Sequence, residues 1–245
     1  MIDESMDKEQ MKQPPQPWEF RSKPAWQRLI IMLAGVTMNV ILAFIIYAMI
    51  LYKWGETKLP MQNLTGGIWV TDSLMSKIGL QNGDQIVSVN GEKIDYFDNL
   101  NAKILLGKDI EVNRNGTLET IHIPVNLIEQ LVEKKKSKTP LVSPRQPTIV
   151  GGFPEGATTN AEKAGLKVYD KIIAVDSVPV AYLDQLAPIL AAHANQEVSL
   201  SIIRDGQTIG KQVTVDSAGK IGFMLINAQQ ADSLGILKQE VKHYG

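Results

Sequence analysis

The chain has 245 residues, which is room for one large domain or two small ones. Charged residues make up 21% and nearly cancel to a formal net charge of -1, so no basic stripe points to nucleic acid. Cysteine is absent, which excludes disulfides and thiolate metal sites but does not fix the compartment.

The first 28 residues are polar and carry Asp3, Glu4, Asp7 and Glu9, followed by Arg21, Lys23 and Arg28. They are expected to form a cytoplasmic juxtamembrane segment. Residues 29–52 carry no charge, and only Thr37 and Asn39 are clearly polar. At ~1.5 Å per residue a helix of this length reaches roughly 36 Å, enough to cross a hydrocarbon core of ~30 Å with some tilt. Trp26 and Trp54 flank the stretch, and Tyr47 and Tyr52 sit near its end, as interfacial anchors do. A buried core helix is rarely so long or so apolar all round. A signal peptide has a shorter apolar run and a short basic start, unlike this acidic leader. Three basic residues before the span against Lys53 and Lys58 after it lean towards a cytoplasmic N-terminal side. Within the span Gly35, Asn39 and Ala43 are spaced by four and share one helix face. Small residues there admit a neighbouring helix, and an asparagine in lipid needs a protein or water partner. Asn39 is therefore either an interhelical glue residue or part of a functional chamber.

Beyond the span the pattern becomes short alternating runs punctuated by turns. Residues 80–91 read LQNGDQIVSVNG. Leu80 closes a short helical piece (72–79), Gly83 frees the backbone to turn, and Ile86, Val87 and Val89 make a strand. Asn90-Gly91 suits a type I′ hairpin turn. The plan returns 86 residues later, with Asp84, Ile86 and Val89 becoming Asp170, Ile172 and Val175. A second helix is expected at 99–106 in one copy and 183–192 in the other. Each copy ends in a hairpin with a turn glycine, Gly116 and Gly206. The second copy has Tyr169 in place of Gly83 and Asp176-Ser177 in place of Asn90-Gly91, so its turns carry more strain. Two homologous modules are predicted, at 62–127 and 148–226. Residues 128–147, with the lysines at 134–136, Lys138 and three prolines, read as a solvated linker, although such a run can also touch anionic lipid. Residues 227–245 read as a juxtamembrane lead-in to a further span.

The run L-x-x-G-D-x-I-x-x-V-N-G resembles bacterial PDZ domains of the periplasmic protease type. In those domains a peptide adds as a strand between a sheet edge and the following helix, and backbone N–H groups capture its C-terminal carboxylate. The resemblance implies substrate-binding residues at Ile221-Gly222-Phe223, the counterpart of a carboxylate loop, and on the helix at Leu186 and Leu190. Gly66-Gly67-Ile68 is a weaker match, and both tripeptides also fit the ordinary start of a strand. Upstream, Lys23-Pro24-Ala25-Trp26-Gln27-Arg28 leads into Gly35, Asn39 and Ala43. This resembles the second transmembrane helix of bacterial site-2 proteases, the zinc intramembrane metalloproteases of the regulator-of-sigma-E type. Val36 departs from that pattern, which has proline there. The expected fold class is a membrane protein with one transmembrane α-helix followed by two tandem PDZ-like α+β modules, mainly β.

The resemblance implies zinc in the full-length protein, transmembrane substrates such as anti-sigma factors, peptide ends at the PDZ modules, and surrounding membrane lipid. It places the protein in the bacterial inner membrane with its modules outside the cytoplasm. Gly35 and Asn39 would lie near the catalytic chamber. A zinc protease needs two histidines one helical turn apart with a glutamate beside the first. This sequence holds only His122, His193 and His243 and no H-E-x-x-H. The expectation is that the chain is the middle of such a protease, binds no zinc by itself and is inactive alone. A membrane-anchored tandem PDZ scaffold without enzymatic activity is the alternative.

Overall fold

The computed structural model describes residues 17, 22–133, 139–156 and 158–243. The acidic leader, Arg21 and the lysines at 134–136 and 138 lie outside the described residues. The chain divides into two compact units, one made of residues 1–56 with 241–245 and the other of residues Thr57–Glu240.

The first unit is built on α1 (Ala25–Trp54), 30 residues without an internal glycine break or proline. At ~1.5 Å per residue it is about 45 Å long. No residue of α1 is buried, and its aliphatic side chains are exposed all round. It is the described helix with the length and composition to cross a membrane. It ends at Gly55, whose φ of 69° suits glycine at a helix C-terminus. A Cβ there would lie 2.7 Å from Val241 Cγ1 and 2.8 Å from the Lys242 carbonyl oxygen. Val241 and Lys242 thus pass against the end of the helix within this unit, and the short strands β1 (Glu56–Lys58) and β14 (Glu240–Lys242) lie where the chain leaves and re-enters it.

The second unit holds two copies of one plan. The first copy contains β2 (Ile68–Val70), α2 (Ser73–Lys77), β3 (Gln85–Val89), β4 (Glu92–Lys93), α3 (Leu100–Leu106), β5 (Asp109–Arg114), β6 (Thr117–His122), α4 (Leu127–Glu133) and β7 (Val142–Pro144). The second contains β8 (Val150–Gly152), α5 (Asn160–Lys163), β9 (Lys171–Val175), β10 (Val178–Pro179), α6 (Leu183–Ala192), β11 (Glu197–Arg204), β12 (Gln207–Thr214) and β13 (Met224–Leu225), with α7 (Ala228–Ser233) behind it. Each has an antiparallel four-stranded sheet, in the order β4-β3-β5-β6 and β10-β9-β11-β12. Each is closed by a two-stranded ladder that joins its first strand to its last, β2 to β7 and β8 to β13. Alternation, reset by a bulge at Val87 in β3 and at Ile173 in β9, sets the cores. Ile86, Val89, Ile110 and Val112 point inward against Leu100 and Ile104 in one copy, and Ile172, Val175, Leu200 and Ile202 against Leu186 and Leu190 in the other.

The expected boundaries change at the linker. Leu127–Glu133 is helical, and Val142–Pro144 is the closing strand of the first copy, so both of these segments belong to that copy. Trp69 faces Ser143 and Val70 faces Val142 in its ladder. A stretch rich in lysine and proline conceals three residues of strand, which is too short a run for alternation to be legible.

Both copies share a buried ion pair. Asp84 and Asp170 are each 1% exposed. Arg114 Nε donates to Asp84 Oδ1 (2.8 Å) and its Nη2 to the Gly79 carbonyl (2.8 Å); Arg204 repeats this with Asp170 (2.7 Å) and Gly165 (2.8 Å). The arginine thus ties the end of a strand to the loop after the short helix, satisfying a carboxylate and a helix-end carbonyl together. Burial pushes the Asp170 carboxyl up, but the Arg204 guanidinium, the Lys167 amide and the charge of Lys211 outweigh it and hold Asp170 below the usual carboxylate range. Hydrogen bonding to Asp170 in turn raises Arg204.

One side chain joins the copies. Arg145, just after β7, donates from Nε to Asp184 Oδ1 (2.9 Å) and from Nη2 to Asp184 Oδ2 (2.9 Å). Its guanidinium lies 4.3 Å from the Tyr182 ring centroid, and its backbone N–H donates to the Gly67 carbonyl. Asp184 opens α6 of the second copy, and Gly67 precedes β2 of the first.

Candidate functional site

The face of α1 that bears Gly35, Asn39 and Ala43 is open. Nothing lies within 4 Å of a Cβ built on Gly35. Asn39 is exposed, and its side-chain amide has no hydrogen-bond partner among the described residues. A polar amide between small residues, presented by an otherwise apolar helix, needs an external partner in lipid.

In the second copy, Ile221-Gly222-Phe223 leads directly into β13. Ile221 is 2% exposed, and its carbonyl accepts from the Ala161 amide in the first turn of α5 (2.7 Å). Gly222 has φ 83°, and a Cβ there would fall 2.7 Å from Thr159 Cβ, so this loop is folded tightly on the start of α5. Thr159 is fixed by a capping box with Glu162. Phe223 packs against the second core. Leu186 and Leu190, 0% and 4% exposed, also face that core rather than an open groove, because α6 has to bury its apolar stripe on the sheet.

Gly66-Gly67-Ile68 stands at the start of a strand: the Gly67 amide donates to the Leu64 carbonyl in a tight turn, and Ile68 opens β2. The counterpart of Ile221-Gly222-Phe223 in the first copy is Thr139-Pro140-Leu141, which leads into β7 as the other leads into β13. The Leu141 carbonyl accepts from the Thr71 and Asp72 amides (3.2 Å each), just before α2.

Beside this loop lies a groove of about 410 Å³, lined by Asn101, Ala102 and Leu105 of α3, Ile128 and Leu131 of α4, and Pro140. Sequence reading missed it because α4 fell in the stretch taken for linker. The signal was the spacing Leu127, Ile128, Leu131, Val132, an apolar stripe one helical turn apart. Its polar rim includes Asp72, 2% exposed, which caps α2 by accepting from the Leu74 amide (2.8 Å).

The three histidines are far from any shared site in the sequence, and each has a local setting. His122 is exposed between buried Ile121 and Ile123 and meets Asp109 across the ladder. His193 ends α6, where Nδ1 donates to the Ile189 carbonyl (2.8 Å) and Nε2 lies 4.0 Å from Asp176. His243 follows β14 and is exposed. Among the described residues no three His, Cys, Asp or Glu side chains come together to hold a metal ion. What the described surfaces offer is hydrogen bonding along strand edges and apolar contact.

The sequence profile of peptidase family M50 matches residues 2–232. A protein of Neisseria meningitidis serogroup A named as a zinc metalloprotease is 26% identical over 218 residues, 86% of this chain and 48% of that one. The regulator of sigma-W protease RasP of Bacillus subtilis is 28% identical over 174 residues, 69% of this chain and 40% of RasP. The metalloprotease MmpA of Caulobacter vibrioides is 31% identical over 120 residues, 47% of this chain and 28% of MmpA. The chain spans about half the length, or less, of these curated relatives. With a match that runs from the leader through α1 and both copies, the chain belongs to peptidase family M50, the site-2 protease family.

Proposed function

We propose that this chain is the central part of a zinc-dependent intramembrane metalloprotease that cleaves membrane-embedded substrates such as anti-sigma factors. In this reading α1 crosses the bacterial inner membrane beside the catalytic helices, and the Gly35–Asn39–Ala43 face packs on them. The two copies are PDZ-like modules on the extracytoplasmic side, which bind or gate the substrate. The observation that carries the reading is the family match over residues 2–232, and the metalloprotease names of the relatives support it. The PDZ-like part is supported by the plan the copies share, a four-stranded sheet closed by a two-stranded ladder, and in the first copy by the short closing strand β7 lying beside α3, the geometry that strand addition uses.

Zinc does not fit the residues of this chain. Its three histidines are separated by 71 and 50 positions, and none forms the i, i+4 pair that tetrahedral zinc takes from a helix. The metal would be held by residues outside these 245, and no chemical step is assigned to any side chain here. The chain's contribution is positional: α1 supplies a wall that approaches its neighbours closely, and the modules control what reaches it.

The test uses the full-length protein that contains this chain, reconstituted in lipid vesicles with a single-span reporter whose ectodomain has been trimmed. Cleavage within the reporter's span, abolished by a zinc chelator and restored by zinc, is expected. Intact reporter under all conditions would leave the modules as a scaffold.

A further inference from the structure

Each copy is entered through the same joint. Lys58-Leu59-Pro60 stands before the first copy and Arg145-Gln146-Pro147 before the second. Each meets the segment that leads into the longer helix of its copy, where Tyr96-Phe97-Asp98 corresponds to Tyr182-Leu183-Asp184. Pro60 forms an antiparallel bridge with Tyr96, and Pro147 forms one with Tyr182. The backbone bonds repeat as well. The Phe97 amide donates to the Leu59 carbonyl (2.8 Å), and the Leu183 amide to the Gln146 carbonyl (2.9 Å). The Met61 amide donates to the Asp95 carbonyl (2.8 Å), and the Thr148 amide to the Ala181 carbonyl (3.2 Å). Proline has no N–H to leave unpaired at the bridge. Two residues ahead of it, a cation lies over the tyrosine ring in both joints, Lys58 over Tyr96 and Arg145 over Tyr182.

The two joints differ in strength. The Arg145 guanidinium is 4.3 Å from the Tyr182 ring centroid and also pairs with both carboxylate oxygens of Asp184, whose side chain is 3% exposed. The first copy roofs this joint. A Cβ on Gly66 would fall 2.6 Å from the Tyr182 ring, and one on Gly83 would fall 3.1 Å from Arg145 Nη1. Only a planar fork can stack on a ring and grip a carboxylate at two points. At the first joint Lys58 Nζ lies 5.7 Å from the Tyr96 ring centroid. Asp98 is exposed there, and its Oδ2 accepts from the Leu59 amide (3.1 Å). An ammonium has no fork, and charge contacts open to water contribute little.

We infer that this is one latch used at two strengths. The Arg145 latch keeps the two copies joined. The Lys58 latch opens readily, so residues 58–60 are where the chain ahead of the first copy comes free of it. The inference stands on the repeated joint and does not depend on the proteolytic reading.

The test follows amide hydrogen exchange in the full chain in detergent micelles, at two matched positions. The Phe97 and Leu183 amides each report the closing bond of one latch. In the wild type the protection factor of Leu183 should exceed that of Phe97 at least tenfold, about the difference one bidentate charged pair makes to a local opening. Lys58→Arg supplies a fork beside Asp98 and should raise protection at Phe97 roughly tenfold, with Leu183 unchanged. Arg145→Lys should lower protection at Leu183 by a similar factor, with Phe97 unchanged. Circular dichroism of both variants should match the wild type, and the wild-type comparison is decisive without them. Equal protection of Phe97 and Leu183 in the wild type would overturn the grading of the latches. A folded Lys58→Arg chain with no gain at Phe97 would overturn the part assigned to the cation.

Discussion

At the scale of single residues, the repeated Asp–Arg pair does the most to hold each copy in shape. It connects positions 30 and 34 apart in sequence, so no local window reveals it. The aspartates were legible as repeated residues, but their partners looked like ordinary charges before a hairpin turn. Only the fold brings Arg114 and Arg204 back over the loop that follows the short helix. Asp170→Asn leaves Arg204 facing a neutral amide in a site where the aspartate is 1% exposed. The expected cost is about 2–4 kcal/mol of unfolding free energy, read from urea denaturation. The pH dependence has a definite sign. Asp170 is held below its ordinary value, so its contribution is complete above the ordinary carboxylate range of ~3.9 and fades as pH falls below it. The stability gap between wild type and Asp170→Asn should therefore be constant near neutrality and narrow below about pH 4. A gap independent of pH in acid would contradict the assignment.

At the scale of elements, the strands, hairpins and the helices α3 and α6 follow the alternation and turn signals, because those elements bury one face and alternate on the other. Helix α6 covers the expected 183–192, and Asp72 caps α2 where a helical start was predicted. The closing strands β7 and β13 were not legible as such. Three and two residues give no period, and their role as partners of the first strand of each copy is a property of the topology alone. The degenerate turn of the second copy is a different case: its strain is visible in both sequence and structure. Asp176 and Ser177 adopt φ of 46° and 69°, the same left-handed pair as Asn90 at 54° and Gly91 at 74°. Serine there costs about 1 kcal/mol relative to glycine, partly offset by the greater freedom of glycine in the unfolded chain. Ser177→Gly should raise stability by roughly 0.5–1 kcal/mol, and Gly91→Ser should lower it by a similar amount, both measured by thermal melts. Destabilisation by Ser177→Gly would show that the hydroxyl contributes more than the backbone strain removes.

At the scale of the whole molecule, Arg145 links the two copies. Its partner Asp184 has a side chain 3% exposed, and Arg145 itself is 13% exposed, so the pair is largely shielded from solvent. Removing the guanidinium by Arg145→Ala leaves a buried carboxylate without its partner, a loss of about 3 kcal/mol at this contact. Spin labels at the hairpin positions Thr117 and Gln207 should give a narrow distance distribution in the wild type and a broad one in Arg145→Ala. Equal widths would mean that the remaining contacts suffice to orient the copies. The most direct test of the central claim, that this chain forms part of an intramembrane protease, falls on Asn39. Its amide has no partner within the described chain and sits between Gly35 and Ala43 on the face proposed to meet the catalytic helices. Asn39→Leu removes the amide and adds bulk where helices must approach closely, while Ile41→Ala, two residues along, alters the opposite side. Both are introduced into the full-length protein in cells, and cleavage of a transmembrane substrate is measured at equal protein level. The account predicts a loss of roughly tenfold or more for Asn39→Leu, about 1.4 kcal/mol or above in barrier terms, with little change for Ile41→Ala. Cleavage by Asn39→Leu equal to that of the wild type would contradict it.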